Sequence, residues 1–267
     1  TSSISTPPSP AEKYIRSSLL PNLCKAVVKN ERYFDEFSIF ETAQVFRDEN
    51  YTSPYDPREK LPSQRKNVAG AFATTDKDIT ALFRKAKGVV EMMARYVHME
   101  ALTFKQAEKP VWADNVVWLN IYRGDEKVGD LALLAKKVSM ACGIKNMNVM
   151  LFQLDQDSLV PLKSRTNTFT HLAEYPMTDY DISLLVDGSV QWKDVAQTVR
   201  GIKSELLHGA AFVDEYRGKQ VPAGKKSLTL RLAIGSKDKT LTSAEIEEVA
   251  SGVLNKIAKR FGAELRR

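Results

Sequence analysis

The chain has 267 residues, of which 43% are hydrophobic and 27% charged, a composition typical of a soluble globular protein with one or two domains. No apolar run approaches the ~18 residues of a membrane span, and residues 1–15 lack the apolar segment of a signal peptide, so neither feature predicts a membrane-spanning or secreted protein. The net charge is +6, and the first residue is Thr1 rather than Met, so we expect a piece of a longer protein.

The first 165 residues predict a mixed α+β unit. Residues 1–12 and the polar segment 48–67, which contains three prolines, are predicted loops. Apolar spacing predicts two helices, Leu19–Val28 and Asp78–His98, and five strands, Phe37–Phe46, Val68–Ala73, Val116–Tyr122, Lys127–Leu133 and Met147–Leu154. A helix at Ala132–Cys142, stopped by Gly143, is an alternative where it overlaps the fourth strand. The polar residues 156–170 predict the domain boundary, with domains at 1–165 and 171–267.

The second domain has a clearer pattern. Apolar residues alternate in predicted strands at 182–186, 210–216 and 228–234, and a helical stripe lies at 195–206. Thr242 and Glu245 have the spacing of a capping box at the start of a second helix, which Gly262 ends before a short strand at 263–266. The order β-α-β-β-α-β predicts a ferredoxin-like fold.

Cysteine and histidine positions argue against a metal site. Cys24 and Cys142 form no CxxC pair, which predicts reduced thiols in a reducing compartment, here the cytoplasm. None of the three histidines, His98, His171 and His208, has ligand spacing to a cysteine or to another histidine. We therefore predict neither a metal nor a cofactor bound by this chain.

The positive charge is concentrated beside the last long strand. Between Arg217 and Lys239 there are seven basic residues and one acid, Asp238, so this stretch accounts for the whole net charge. Strand alternation places Ser227, Thr229 and Arg231 on the sheet face away from the helices, which we call the open face. Such a face suits single-stranded RNA, with bases on aromatic rings and phosphates on cations. The alternatives are a solvated hairpin and a face that packs on another domain.

The carboxy-terminal motifs are together very specific. "YP" at 175–176, "DEYRG" at 214–218, "VPAGKKSLTLRL" at 221–232, "DKTLT" at 238–242 and "GAELR" at 262–266 resemble the ferredoxin-fold anticodon-binding domain of the bacterial phenylalanyl-tRNA synthetase β subunit. The chain departs from the family at Tyr180 and Lys239, where the family usually has arginine. The resemblance implies an RNA site formed by the following residues: Tyr175, Tyr180, Tyr216, Arg217, Lys219, Lys225, Lys226, Ser227, Arg231 and Lys239.

The amino-terminal part resembles the segment that precedes this domain in the same subunit. The matching motifs are "IRSSLLPNL" at 15–23, "IFETAQVF" at 39–46, "KGVVEMM" at 87–93 and "FQLDQDSL" at 152–159. The resemblance implies a partial, inactive class II synthetase-like module, an antiparallel sheet for which we expect helices on one side. Thirteen glycines include no Gly-x-Gly pair, so the adenylate motif of class II enzymes is missing. Arg16 and Arg47 are interpreted as structural, and Asp155 and Asp157 as a solvated edge.

The resemblance also implies a function and partners. The whole enzyme, an α2β2 assembly, would attach phenylalanine to its tRNA with ATP and Mg²⁺ on the catalytic α subunit. This chain would bind the anticodon region of the tRNA specific for phenylalanine and act as a scaffold for α, with no catalytic residue of its own. The alternative is a stand-alone RNA-binding or interaction protein that carries the same ferredoxin-like domain.

Overall fold

The computed structural model describes residues 14–52, 58, 60–97, 99–159 and 174–266, with backbone alone for 48–52 and 60–61. The chain divides into two compact units, Thr1–Asn167 and Thr168–Arg267. The predicted loop at 1–12, most of the linker at 156–170, His98 and His171 lie outside the described residues.

The first unit is built on a six-stranded antiparallel sheet, as predicted, in the order β1-β2-β6-β5-β4-β3. Its strands are β1 (Glu36–Thr52), β2 (Lys60–Thr74), β3 (Thr103–Lys105), β4 (Ala113–Arg123), β5 (Glu126–Leu134) and β6 (Asn148–Asp155). Its helices are α1 (Leu20–Asn30), α2 (Ile79–Tyr96) and α3 (Lys136–Cys142). Strand β5 and helix α3 are both present, since Ala135 separates them and Gly143 ends the helix with φ of 86°.

Helices cover both faces of this sheet, so the expectation of helices on one side is wrong. The reason lies in β2, which is apolar on both faces. Ala69, Ala71 and Ala73 pack in the core that holds α1, whereas Phe72 packs in the core that holds α2. The first core also brings two cysteines together: Cys24 of α1 is buried, and its thiol donates a hydrogen bond to Cys142 of α3.

The predicted loop at 48–67 is wrong at both ends. Strand β1 continues to Thr52 and β2 begins at Lys60, so the two strands form a long hairpin with Asn50 opposite Pro62. Backbone hydrogen bonds between paired strands do not depend on apolar side chains. Because the residues at these strand ends are polar, the sequence contains no apolar alternation from which the ends could be predicted.

The second unit has the predicted β-α-β-β-α-β order. Its elements are β7 (Thr178–Asp187), α4 (Trp192–Arg200), β8 (Leu207–Tyr216), β9 (Lys225–Ile234), α5 (Ser243–Phe261) and β10 (Glu264–Leu265). The sheet order is β10-β7-β9-β8, and the strands are antiparallel. Leu228, Leu230 and Leu232 are fully buried under the two helices.

Local signals at the ends of α5 are confirmed. Thr242 accepts a hydrogen bond from the backbone N–H of Glu245, and the Glu245 carboxylate accepts one from the backbone N–H of Thr242. Gly262 ends the helix in the left-handed conformation, with φ of 62°, where an L side chain would be strained. The predicted capping box thus fixes where the chain turns from β9 into the helix.

Candidate nucleic-acid interface

The open face of the second unit carries a row of polar side chains on its two central strands. Ser183 of β7 lies opposite Thr229 of β9, and their hydroxyl oxygens are 2.9 Å apart. Asp181 lies opposite Arg231, and both are exposed. Strand alternation places these four residues away from the helices, because their neighbours in sequence point into the core.

Arg231 is held in a fork-shaped pair with Asp181. Its Nε and Nη2 atoms donate to the two carboxylate oxygens of Asp181 at 2.7 and 2.8 Å, and its Nη1 lies 3.8 Å from Asp179. The hydrogen bond from Arg231 lowers the pKa of Asp181, and the same bond raises the pKa of Arg231. The open face therefore presents an oriented guanidinium group that is partly neutralised by its own acids.

Tyr216 is the predicted stacking residue that lies on the open face. It is 40% exposed and pairs across the strands with Ser227, which is buried. The Arg266 guanidinium lies over the Tyr216 ring, 5.3 Å from its centroid, and donates to Gln220 at 3.1 Å. Sequence reasoning missed Arg266, although the "GAELR" motif contains it, because only the pairing of β10 with β7 brings it to this ring.

The other two predicted tyrosines differ in position. Tyr180 is opposite Leu232 and packs against the core beneath the helices, on the side of the sheet away from the open face. Tyr175 precedes β7 and is half-buried. Since strand residues alternate between faces, an even-numbered residue of β7 points toward the helices.

Most of the predicted cations have acidic partners in the structure. Arg217 donates to Glu215 at 2.9 Å and to the carbonyl of Gly188 at 3.0 Å. Lys225 pairs with Glu264 at 3.1 Å, and Lys239 pairs with Glu245. The exposed Lys219 has no partner among the described residues. The concentrated charge seen in the sequence is therefore reduced by acids that come from other elements.

Lys226, which is expected in the RNA site, is buried in the second unit. Strand β9 begins at Lys225, and Lys226 points to the helix side with only 5% of its side chain exposed. Its ammonium group donates to Glu215 at 2.7 Å. Burial favours the neutral form of Glu215, but hydrogen bonds from Lys226 and Arg217 outweigh it and lower the pKa of Glu215. A phosphate could reach Lys226 only if this pair opened.

The first unit contains a second charged cluster, and the interpretation of Asp155 as a solvated edge is wrong. Asp155 is 8% exposed and accepts hydrogen bonds from Arg47 at 3.0 Å and from Arg65 at 3.2 Å. Arg16 pairs separately with Glu41 at 2.7 Å. Both arginines singled out in the sequence, Arg16 and Arg47, thus have carboxylate partners within the chain.

The described residues contain neither a metal-binding cluster nor a membrane-spanning helix. No group of three or more His, Cys, Asp or Glu side chains comes together as a metal site there. Among the helices in the same part of the chain, none has the length and hydropathy needed to cross a membrane.

Comparison with family models gives two matches. Residues 2–156 match the phenylalanyl tRNA synthetase beta chain CLM domain. Residues 173–266 match the ferredoxin-fold anticodon binding domain. The two matches follow the order of the two compact units, and the first alone covers more than half of the chain.

Individual relatives carry the same name. The phenylalanine–tRNA ligase beta subunit of Oceanobacillus iheyensis is 28% identical over 99% of this chain, and that of Syntrophus aciditrophicus is 25% identical over 98%. The chain spans about a third of the length of these relatives, 32% and 33%. Among solved structures, a pyrrolysyl tRNA synthetase of Desulfitobacterium hafniense is 14% identical with a TM-score of 0.46, covering 58% of this chain and 51% of that one. On the family-model matches, the chain belongs to the phenylalanyl-tRNA synthetase beta chain family.

Proposed function

We propose that the second unit binds the anticodon region of the tRNA specific for phenylalanine, as part of a synthetase β subunit. The observation that carries the proposal is the open face itself, with Tyr216, Arg266 and Arg231 on a sheet whose helices lie on the other side. Single-stranded loops are recognised by proteins that stack bases on aromatic and guanidinium planes. The match to an anticodon-binding domain supports the same site.

The geometry suggests a role for each exposed group. The guanidinium group of Arg266 already lies over the Tyr216 ring, and an unpaired base can stack on this pair. Lys219, which has no acidic partner among the described residues, binds a phosphate at no cost to an existing ion pair. Arg231 and Lys225 bind phosphates by exchanging Asp181 and Glu264 for them. Lys226 stabilises the fold and is not part of the RNA site.

Binding of the anticodon stem-loop to the whole chain, measured at several salt concentrations, tests this proposal. If about three to five phosphates are neutralised, the log–log salt slope should be about −2 to −4. Lys219→Ala should weaken binding to all sequences and flatten the slope by about 0.7. Lys193→Ala, a matched change on an exposed residue of α4, should leave affinity and slope unchanged.

Base stacking needs a different pair of variants. Tyr216→Leu should cost about 1–3 kcal/mol of binding with little change in slope, whereas Tyr216→Phe keeps the ring and should bind nearly as the parent chain does. Equal affinities for the Leu and Phe variants would remove Tyr216 from the site. Unchanged affinity in both Lys219→Ala and Tyr216→Leu would refute the proposed interface.

We further propose that the chain serves as a scaffold for a catalytic α subunit and supplies no catalytic group. The whole enzyme would work in the cytoplasm as an α2β2 assembly and attach phenylalanine to tRNA with ATP and Mg²⁺. Support comes from the names of the relatives and from Arg47, whose contact with Asp155 fits a structural role. The chain free of α should not catalyse phenylalanine-dependent ATP–pyrophosphate exchange. Such activity in a preparation without α would contradict the proposal.

A stand-alone RNA-binding protein is the less supported alternative. A borrowed anticodon-binding domain explains the match of residues 173–266 but not the match of residues 2–156 to the same synthetase subunit. Co-purification of the chain with α would exclude the alternative as its sole role.

A further inference from the structure

A polar pocket lies on the sheet of the first unit. The pocket has a volume of about 330 Å³ and lies where β1, β2, β5 and β6 come together. Its lining includes Arg47, Arg65, Asn67, Lys127, Asp155 and Ser158. It belongs to a different compact unit from the proposed RNA site, so the inference does not rest on the proposed function.

Two guanidinium groups converge on one carboxylate in this pocket. Arg47 Nη2 and Arg65 Nη2 lie 3.0 and 3.1 Å from the same atom, Asp155 Oδ2. The arginine side chains are 40% and 35% exposed, whereas the Asp155 side chain is only 10% exposed. Glu126 and Asp130 also line the pocket, but they pair with Arg123 and Lys127. The two guanidinium groups and the single carboxylate of Asp155 therefore leave a local excess of one positive charge. The guanidinium groups are therefore accessible from the pocket, whereas the Asp155 carboxylate is buried in the pocket wall.

A buried amide in the same wall has an unsatisfied acceptor. Asn67 is 3% exposed, and its Oδ1 has no hydrogen-bond partner among the described residues. Asn67 pairs with Asp155 across β2 and β6, which places the two side chains next to each other on the same face. A molecule that entered the pocket with a hydroxyl group beside an acidic group could satisfy both this acceptor and the arginines. Phosphate in its monoanionic or dianionic form has that chemistry.

We propose that Asp155 is an internal anion that occupies the place of a bound phosphate group and so keeps this pocket closed to phosphate compounds. Carboxylate and phosphate oxygens match the guanidinium fork in the same way, so they compete for the same donors. A phosphate that entered beside an ionised Asp155 would also be repelled at short range. Neutralising this single carboxylate therefore converts a structural cluster into an anion site.

Asp155→Asn tests the proposal, because the amide keeps the shape of the side chain and removes its charge. Inorganic pyrophosphate is titrated into the whole chain at constant ionic strength, and binding is followed by calorimetry and by the rise in Tm. The variant should bind at least tenfold more tightly than the parent chain, and only the variant should show a large ligand-dependent rise in Tm. Asp157→Asn is the matched control, since Asp157 accepts from the backbone of Lys66 and contacts neither guanidinium group.

Two further variants keep the test decisive. If Asp155→Asn fails to fold, Asp155→Ser replaces it. The double variant Asp155→Asn/Arg65→Met should lose the pyrophosphate binding that Asp155→Asn gained. That loss would show that pyrophosphate binds in this pocket and not to the cations of the second unit. Equal binding by the parent chain and Asp155→Asn would overturn the proposal, as would binding by neither. Gain of binding in Asp157→Asn would overturn it as well.

Discussion

Replacement of Lys226 by alanine should destabilise the second unit, although the sequence presents this residue as one of two adjacent surface lysines. The side chain is 5% exposed, so the change removes three buried methylene groups. At about 0.8 kcal/mol each, they contribute about 2.4 kcal/mol. Loss of the ion pair adds about 0–1 kcal/mol, because Glu215 is 31% exposed and keeps Arg217. We expect a total loss of about 2.4–3.4 kcal/mol.

Two control variants separate packing from charge. Lys225→Ala removes a side chain that is 36% exposed and pairs with an exposed Glu264, so it should cost about 0–1 kcal/mol. Lys226→Met keeps the buried stem without the charge and should cost about 1 kcal/mol.

Hydrogen exchange of peptides from β9, measured by mass spectrometry on the whole chain, reports the free energy of opening of this unit alone. Equal protection in the two alanine variants would refute the reasoning from burial. A Met variant as unstable as the Ala variant would show that the charge, and not the stem, stabilises the strand.

Three further outcomes follow from other parts of the structure. Hydrogen bonds from Lys239 and from the backbone of Thr242 lower the pKa of Glu245 from 4.5 to about 2, so this contribution to stability is present above pH 4.5 and lost as the pH falls toward 2. Glu245→Gln should remove that acid-dependent loss, as measured by exchange in α5. Burial, with the neighbouring Cys142 thiol, raises the pKa of Cys24 to about 12, so native Cys24 should resist iodoacetamide at pH 8 and react after unfolding; rapid native labelling would contradict this. A Cβ on Gly129 would lie 2.2 Å from the carbonyl oxygen of Gln153, so Gly129→Ala should lower the free energy of unfolding in urea by about 1–3 kcal/mol or more. A Cβ on Gly88 would meet nothing within 4 Å, so Gly88→Ala should stabilise α2 by about 0.5–1 kcal/mol.

The second unit was largely predictable because its signals are local. Strict alternation in β9 specifies which side chains are buried, and Leu228, Leu230 and Leu232 are fully buried as expected. The capping box at Thr242 needs only residues three apart in sequence, and it forms as predicted. The alternation of apolar residues and the helix cap both depend on residues close together in sequence, so they could be predicted without knowledge of the tertiary fold.

Charge pairing was not predictable, because it depends on strand order. Asp181 is fifty positions from Arg231 but lies directly opposite it, and Glu264 reaches Lys225 from the last strand. In the same way, no local pattern brings Arg47 and Arg65 to Asp155. A count of charges along the sequence therefore overstated the free positive charge of the basic stretch.

The two faces of β2 have a consequence for folding. One face carries three alanines, Ala69, Ala71 and Ala73, beneath α1, and the other carries Phe72 against Phe152 at 6.2 Å between ring centroids. A strand that slips by one residue exchanges its faces. Such a slip would push an aromatic ring into the layer shaped for methyl groups and leave a void in the other layer. Although the sheet is apolar on both sides, the difference in side-chain volume therefore disfavours a one-residue slip of this strand.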